Sequence, residues 1–209
     1  MWIRLLITIV VGYFLGNLNG AFLMYKLFAH EDIRKSGSGN AGLTNFMRKF
    51  GPSKGIWVLL IDIGKAVLAC LIGKFLFAPL GYAKEGLMFG ALAVSLGHDF
   101  PALLGFHGGK GFTSYFGMTL GLNWKYAIIL GIAIIIVTLI SDYLVMGTFT
   151  TIGVSPIALG LLSHSLILAL ILLVGSIVIL YKHQENILRL RTGTEIGLRS
   201  TAKGEHRIK

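Results

Sequence analysis

Residues 54–78 read KGIWVLLIDIGKAVLACLIGKFLFA, and this stretch decides the fold. As an α-helix it extends about 37 Å, more than the roughly 30 Å hydrocarbon core of a bilayer. Asp62 and Lys65 interrupt it, three residues apart and so on one helical face. Charges in lipid are costly unless paired, so the two read first as a structural ion pair and second as part of a substrate cavity. Further apolar segments lie near 4–28, 84–104, 111–122, 124–141, 147–162 and 164–181. The chain as a whole is 55% hydrophobic and 13% charged over 209 residues, a balance that belongs in lipid. The expected fold is an all-α integral membrane protein of about seven transmembrane helices. Segment 111–122 is short for a crossing, and Pro156 removes a helical hydrogen bond within 147–162. The first apolar run continues to Phe28 without a small-residue cleavage pattern, so it reads as a retained span rather than a signal peptide. A single membrane-embedded domain over 1–209 is expected, with 182–209 a basic juxtamembrane tail.

The net charge of +10 is spread over short connections and the tail, with no soluble basic domain, which argues against nucleic acid. If seven spans start outside, the inner face receives 14 Lys and Arg and the outer face only Arg4, Lys74, Lys84 and Lys125. That excess orients the N-terminus outward and the C-terminus toward the cytoplasm. Trp2, Tyr82 and Trp124 then fall near the outer interface, where amphipathic rings are favoured. Cys70 is the single cysteine, so neither a disulfide within the chain nor a thiolate metal site is available. No metal is expected.

Under this topology three polar segments emerge on the inner face, where they can form one site. The first, HEDIRKSGSGNAGLTNFMRKFGPSK, packs Gly37, Gly39 and Gly42 around Ser36, Ser38, Asn40, Thr44 and Asn45. Such a run can point backbone N–H groups and side-chain donors at a phosphate, and Arg48 adds a planar fork of donors. The second, GHDFPALLGFHGGKGF, sets Gly108, Gly109, Lys110 and Gly111 at the mouth of a helix. Its offsets differ from GxxxxGK[ST], so ATP hydrolysis is not supported, although a glycine turn with a lysine beside a helix N-terminus can cradle phosphate. The third, YKHQENILRLRTGTEIGL, brings His183, Glu185, Asn186, Arg189, Arg191 and Glu195 beyond the last span. As a helix it would place His183 with Asn186, and Glu185 with Arg189, on shared faces. His98 reads as a helix-end hydrogen-bonding residue rather than a base.

GSGNAGLTNFMRKFG at 37–51, GHDFPALLGFHGGKG at 97–111 and KHQENILRLRTGTE at 182–195, in this order between apolar spans, resemble the bacterial acyl-phosphate:glycerol-3-phosphate acyltransferases, the PlsY family. The resemblance covers nearly the whole chain. His107 stands where that family commonly has lysine, which removes a fixed charge there but spares Lys110. The resemblance implies a multi-pass bacterial inner-membrane enzyme that moves a fatty acyl group from acyl phosphate to the 1-hydroxyl of glycerol 3-phosphate. Its products would be lysophosphatidic acid and phosphate. It further implies Ser38, Arg48, Lys110, His183 and Asn186 as the functional core and Gly108, Gly109 and Gly111 as a phosphate-binding turn. Arg189, Glu195, Asp62 and Lys65 are read beside these as supporting residues. Implied partners are the two substrates, membrane lipid, and the soluble enzyme that makes acyl phosphate. None of the six histidines is followed by aspartate at the fifth position, so the His-x4-Asp pair of CoA-dependent acyltransferases is missing.

Acyl phosphate is already an activated mixed anhydride, so no cofactor is required. The work is to position two phosphate-bearing substrates and screen their repulsion. The proton of the attacking hydroxyl goes to His183 or to a substrate phosphate oxygen, with substrate assistance slightly preferred on sequence. Ser38 has no adjacent base and is a poor acyl-enzyme nucleophile. A transporter of phosphate or a phosphorylated metabolite is the rival class, with Asp62 and Lys65 its best support.

Overall fold

The computed structural model describes residues 1–197 and 199, so Lys203, Arg207 and Lys209 of the expected tail lie outside the described residues. Among the described residues every element is helical. The helices pack as two compact units, Met1–Leu122 and from Asn123 onward.

In the first unit the run expected to form one span at 4–28 is two helices, α1 (Trp2–Asn17) and α2 (Gly20–Ala29). The cause is local. Asn19 sits in extended conformation and its side-chain oxygen accepts the Phe22 N–H at 2.8 Å, capping α2 and ending α1. A turn of 3₁₀-helix at Ile33–Lys35 follows, then α3 (Leu43–Phe77). Gly51 (φ 80°, ψ 166°) breaks α3 ahead of Pro52, so residues 43–50 form a separate short helix in front of the span. Proline lacks an N–H to continue the preceding ladder but fits the first turn of a new helix. α4 (Ala83–Asp99) stops before Pro101, where sequence alone suggested continuation to 104. α5 (Phe112–Leu122) has 11 residues, about 16 Å of helix, and cannot cross the hydrocarbon alone.

α4 packs against both α1 and α3, and glycines set how closely. A Cβ on Gly90 would collide with the Ala69 carbonyl of α3, and one on Gly97 with the Tyr13 carbonyl of α1. Backbones this near leave only the hydrogen atom of glycine between them, which is how helices associate tightly without a water-driven force. Gly90→Val should therefore cost about 1–3 kcal/mol of stability for overpacking alone, read as a lower unfolding midpoint in detergent. An unchanged midpoint would contradict this packing.

The second unit contains α6 (Trp124–Ser141), α7 (Leu144–Leu162), α8 (Leu166–Lys182) and α9 (Gln184–Arg191). α7 packs against α6 and α8, and Pro156 is accommodated inside it. Five helical stretches are long and apolar enough to cross a membrane: Trp2–Ala29, Leu43–Leu80, Ala83–Leu104, Trp124–Ser141 and Leu144–Leu162. α8 qualifies as a sixth only together with α9, from which it is bent by 58°. The difference from seven lies in α5, which is too short, and α8, which is one bent pair.

Candidate active site

The glycine-rich segment takes its shape from Asn45. The Nδ2 of this buried residue donates to the carbonyls of Ser36 (2.9 Å), Asn40 (3.1 Å) and Ile33 (3.4 Å), and its Oδ1 accepts the Ser38 N–H at 3.1 Å. An amide occupied at both ends holds the loop. Gly37 and Gly39 carry the loop over it at φ of 59° and 71°, and a Cβ on Gly37 would collide with the Asn45 oxygen. Ser38 and Thr44 are exposed and Arg48 half-buried. Gly42 opens α3 without a side-chain cap, so the positive end of the 43–50 helix faces the same loop. Thr44 and Arg48, four apart, share a face of that helix.

The GGKG turn packs on the end of α4. A Cβ on Gly109 would lie 2.5 Å from His98 Nε2 and 3.0 Å from the Ala41 carbonyl, and one on Gly111 (φ 78°) would strike the Asp99 carboxylate. His98 and Asp99 are both buried, and so are Gly109 and Gly111, so these glycines allow the turn to close on them. Lys110 is half-buried in the turn. His107 bonds through Nδ1 to the Gly105 carbonyl at 2.6 Å and is exposed.

A clasp joins the two segments. Arg34 donates through NH1 to the Leu104 carbonyl at 2.7 Å, while Asp32 accepts from Arg34 NH2 at 2.7 Å and from its backbone N–H at 2.9 Å. The Arg34 guanidinium holds the Asp32 carboxyl below its usual range, and Asp32 in turn raises the Arg34 value. A carboxyl depressed in the fold contributes stability that is fully present above its unfolded pKa and is lost as pH falls through the folded one. The destabilisation caused by Arg34→Ala should therefore be constant from pH 8 to pH 6 and shrink only below about pH 4, measured as melting midpoints. A change between pH 8 and 6 would contradict the assignment.

Beneath both segments lies the break between α1 and α2. Asp62 Oδ1 accepts the Gly20 N–H at 3.0 Å and pairs with Lys65 at 2.8 Å. Lys65 Nζ also donates to the Leu18 carbonyl (2.7 Å) and the Gly16 carbonyl (3.1 Å), and meets His98 Nδ1 at 2.8 Å. Breaking a helix inside a membrane orphans backbone groups that water cannot reach; here a buried ion pair satisfies them. Asn19 Nδ2 reaches the Ala41 carbonyl (2.9 Å) and Asn17 Oδ1 the Leu103 N–H (3.0 Å). Tyr13 OH donates to the Phe100 carbonyl at 2.7 Å and accepts from the Ala102 N–H. Sequence reasoning missed Tyr13, Asn17 and Asn19 and underrated His98. The signal lay in GNLNG at 16–20, two asparagines flanked by glycines inside an apolar run.

In the second unit His183 sits at the bend between α8 and α9, buried, with the Phe149 ring edge-on at 5.9 Å. Its Nδ1 lies 2.8 Å from the Ile179 carbonyl, which can only accept, so Nδ1 carries the proton and Nε2 of the neutral ring is an acceptor. Ile179 thus helps to orient the ring. Asn186 Nδ2 donates to both Glu195 oxygens (3.1 and 3.2 Å), and Arg189 Nε reaches Glu195 Oε2 at 2.9 Å. Arg189 also lies 3.7 Å from Glu185, the pair expected from their spacing. Glu195 therefore gathers Asn186 and Arg189 at the end of the third segment.

The family model described as glycerol-3-phosphate acyltransferase matches residues 6–193. A protein named glycerol-3-phosphate acyltransferase from Clostridioides difficile (strain 630) is 38% identical over 195 residues, covering 91% of this chain and 93% of its own. A relative of the same name from Mesorhizobium japonicum is 37% identical over 191 residues, covering 91% and 94%. The crystal structure of PlsY (YgiH), an integral membrane glycerol 3-phosphate acyltransferase, in its glycerol 3-phosphate form superposes with a TM-score of 0.86 at 27% identity, over 95% of this chain and 98% of that one. Its lysophosphatidic acid form gives 0.80 at 27% identity, over 92% and 94%. With motifs, membrane fold and near-complete coverage in agreement, the chain belongs to the glycerol-3-phosphate acyltransferase family of integral membrane enzymes.

Proposed function

We propose that this acyltransferase takes its acyl group from acyl phosphate and delivers it to the 1-hydroxyl of glycerol 3-phosphate, releasing lysophosphatidic acid and inorganic phosphate. The observation that carries this reading is that two segments suited to anions, the Ser38 loop with Arg48 and the GGKG turn with Lys110, are tied together within the first unit by Arg34 and the α1–α2 break. A donor whose leaving group is phosphate, used with an acceptor that carries phosphate, needs two such segments. The solved relative's two forms, with glycerol 3-phosphate and with lysophosphatidic acid, support the acceptor and the product.

In the proposed step the acceptor oxygen attacks the acyl carbon, the bond from that carbon to the bridging oxygen breaks, and phosphate leaves with the bridge. Ser38, Arg48, Lys110 and backbone N–H groups of the 37–42 and 108–111 segments hold phosphate oxygens and offset developing charge. The Nε2 acceptor on His183 favours His183 over a substrate phosphate as recipient of the hydroxyl proton. Glu195 and Arg189 hold Asn186 for this work. The reaction is assigned to the cytoplasmic face of a bacterial inner membrane, with the N-terminus outside. The enzyme that makes acyl phosphate is its upstream partner. Purified protein given glycerol 3-phosphate and acyl phosphate should form lysophosphatidate, and acyl-CoA under the same conditions should not; the reverse preference would overturn the donor assignment.

The transporter reading drew on Asp62 and Lys65, and both are engaged by the broken backbone of the first span. Uptake of glycerol 3-phosphate into sealed vesicles without acyl transfer would restore it.

A further inference from the structure

Lys65 is buried inside the span at 54–78 and has no part in the reaction as proposed, and its surroundings are unusually full. Its ammonium has three donors and no acceptor, yet four acceptors lie within 3.1 Å: the Gly16 and Leu18 carbonyls, Asp62 Oδ1 and His98 Nδ1. Balancing the Asp62 charge would need only one of these. Because Lys65 can only donate, Nδ1 of His98 accepts, and the Nε2 edge of that ring is turned to Gly109 in the turn that carries Lys110. From Leu18 the chain runs directly to Asn19, whose amide bonds to Ala41 beside the Ser38 loop. Ala41 meets the same turn, since its carbonyl lies 3.0 Å from where a Gly109 Cβ would stand. One buried side chain therefore touches the supports of both phosphate-holding segments.

We propose that Lys65 is a positioning residue for acyl transfer, fixing through His98 and the α1–α2 break the separation between the Ser38–Arg48 segment and the Lys110 turn. The proposal rests on the acyltransferase reading above. It assigns Lys65 no contact with substrate. In a reaction that depends on alignment, a displacement of about 1 Å can reduce the rate about a hundredfold.

The test uses full-length wild type, Lys65→Met, Asp62→Asn/Lys65→Met, His98→Asn and His98→Leu in detergent, each with a melting midpoint and with lysophosphatidate and phosphate counted separately. Lys65→Met should lower kcat about ten- to a hundredfold and raise phosphate release per lysophosphatidate formed, because water competes once the acceptor is misaligned. The double variant, which removes both charges, should recover the melting midpoint but remain slow and leaky. His98→Asn, which keeps an acceptor near the Nδ1 position, should be at least fivefold more active than His98→Leu. The proposal is overturned if Lys65→Met turns over like wild type, if the double variant regains both midpoint and turnover, or if the two His98 variants are equal. Should Lys65→Met not fold, the double variant decides; should neither fold, the His98 pair decides. Wild type that makes no lysophosphatidate would instead sink the acyltransferase reading itself.

Discussion

Lys110→Met and Arg48→Met should each lower kcat/KM for acyl transfer about a hundred- to a thousandfold, the magnitude associated with losing one preorganised charged donor. Lys110 sits at the mouth of α5, and Arg48 one turn beyond Thr44 on the 43–50 helix. Bringing two phosphates together near an acyl carbon is opposed unless cations screen them, and Arg48 and Lys110 are the cations assigned that role in the two segments. Initial rates over a matrix of both substrate concentrations check this. Losses below threefold in both variants would remove these segments from the chemistry.

His183→Gln should lower kcat about a hundredfold, the usual worth of a positioned base, while leaving KM for glycerol 3-phosphate within about twofold. The geometry behind this is the bond from Nδ1 to the Ile179 carbonyl, which leaves Nε2 as the ring's acceptor. Glutamine keeps a polar group at that site but cannot take the proton. A loss that appears chiefly in KM would make His183 a phosphate donor and return proton transfer to the substrate, as the sequence alone slightly favoured. Steady-state kinetics at saturating and limiting acceptor separate the two outcomes.

The membrane class was legible because lipid-facing side chains must be apolar along a helix's length, a property that averages well over a window. The breaks inside the apolar runs were not, since Asn19 and Pro101 are single residues within windows that remain hydrophobic on average, whereas Gly51 and Pro52 lie in the polar stretch ahead of the span. Asp62 and Lys65 were readable as a pair from their spacing. Their other partners, Gly16, Leu18, Gly20 and His98, lie far along the chain, and no local pattern predicts them. Asn45 shows a different limit: the sequence identified it as a donor in a glycine-rich loop, but donor identity does not reveal aim, and its amide is turned onto the loop backbone. The same holds for Gly109 and Gly111, which read as a phosphate cradle and also make room for His98 and Asp99. Within each unit the segments singled out by motif are organised by specific contacts, whereas the residues making those contacts are ordinary asparagines, a tyrosine and a histidine.

The central claim is that acyl phosphate is the donor and that the bond broken is the one between its acyl carbon and the bridging oxygen. Its most direct measurement supplies purified protein with acyl phosphate carrying heavy oxygen in the bridge between carbon and phosphorus, together with glycerol 3-phosphate, and reads both products by mass spectrometry. The account predicts one lysophosphatidate per phosphate released, with the heavy oxygen entirely in the phosphate. Absence of lysophosphatidate, or heavy oxygen retained on the fatty acid, would contradict it.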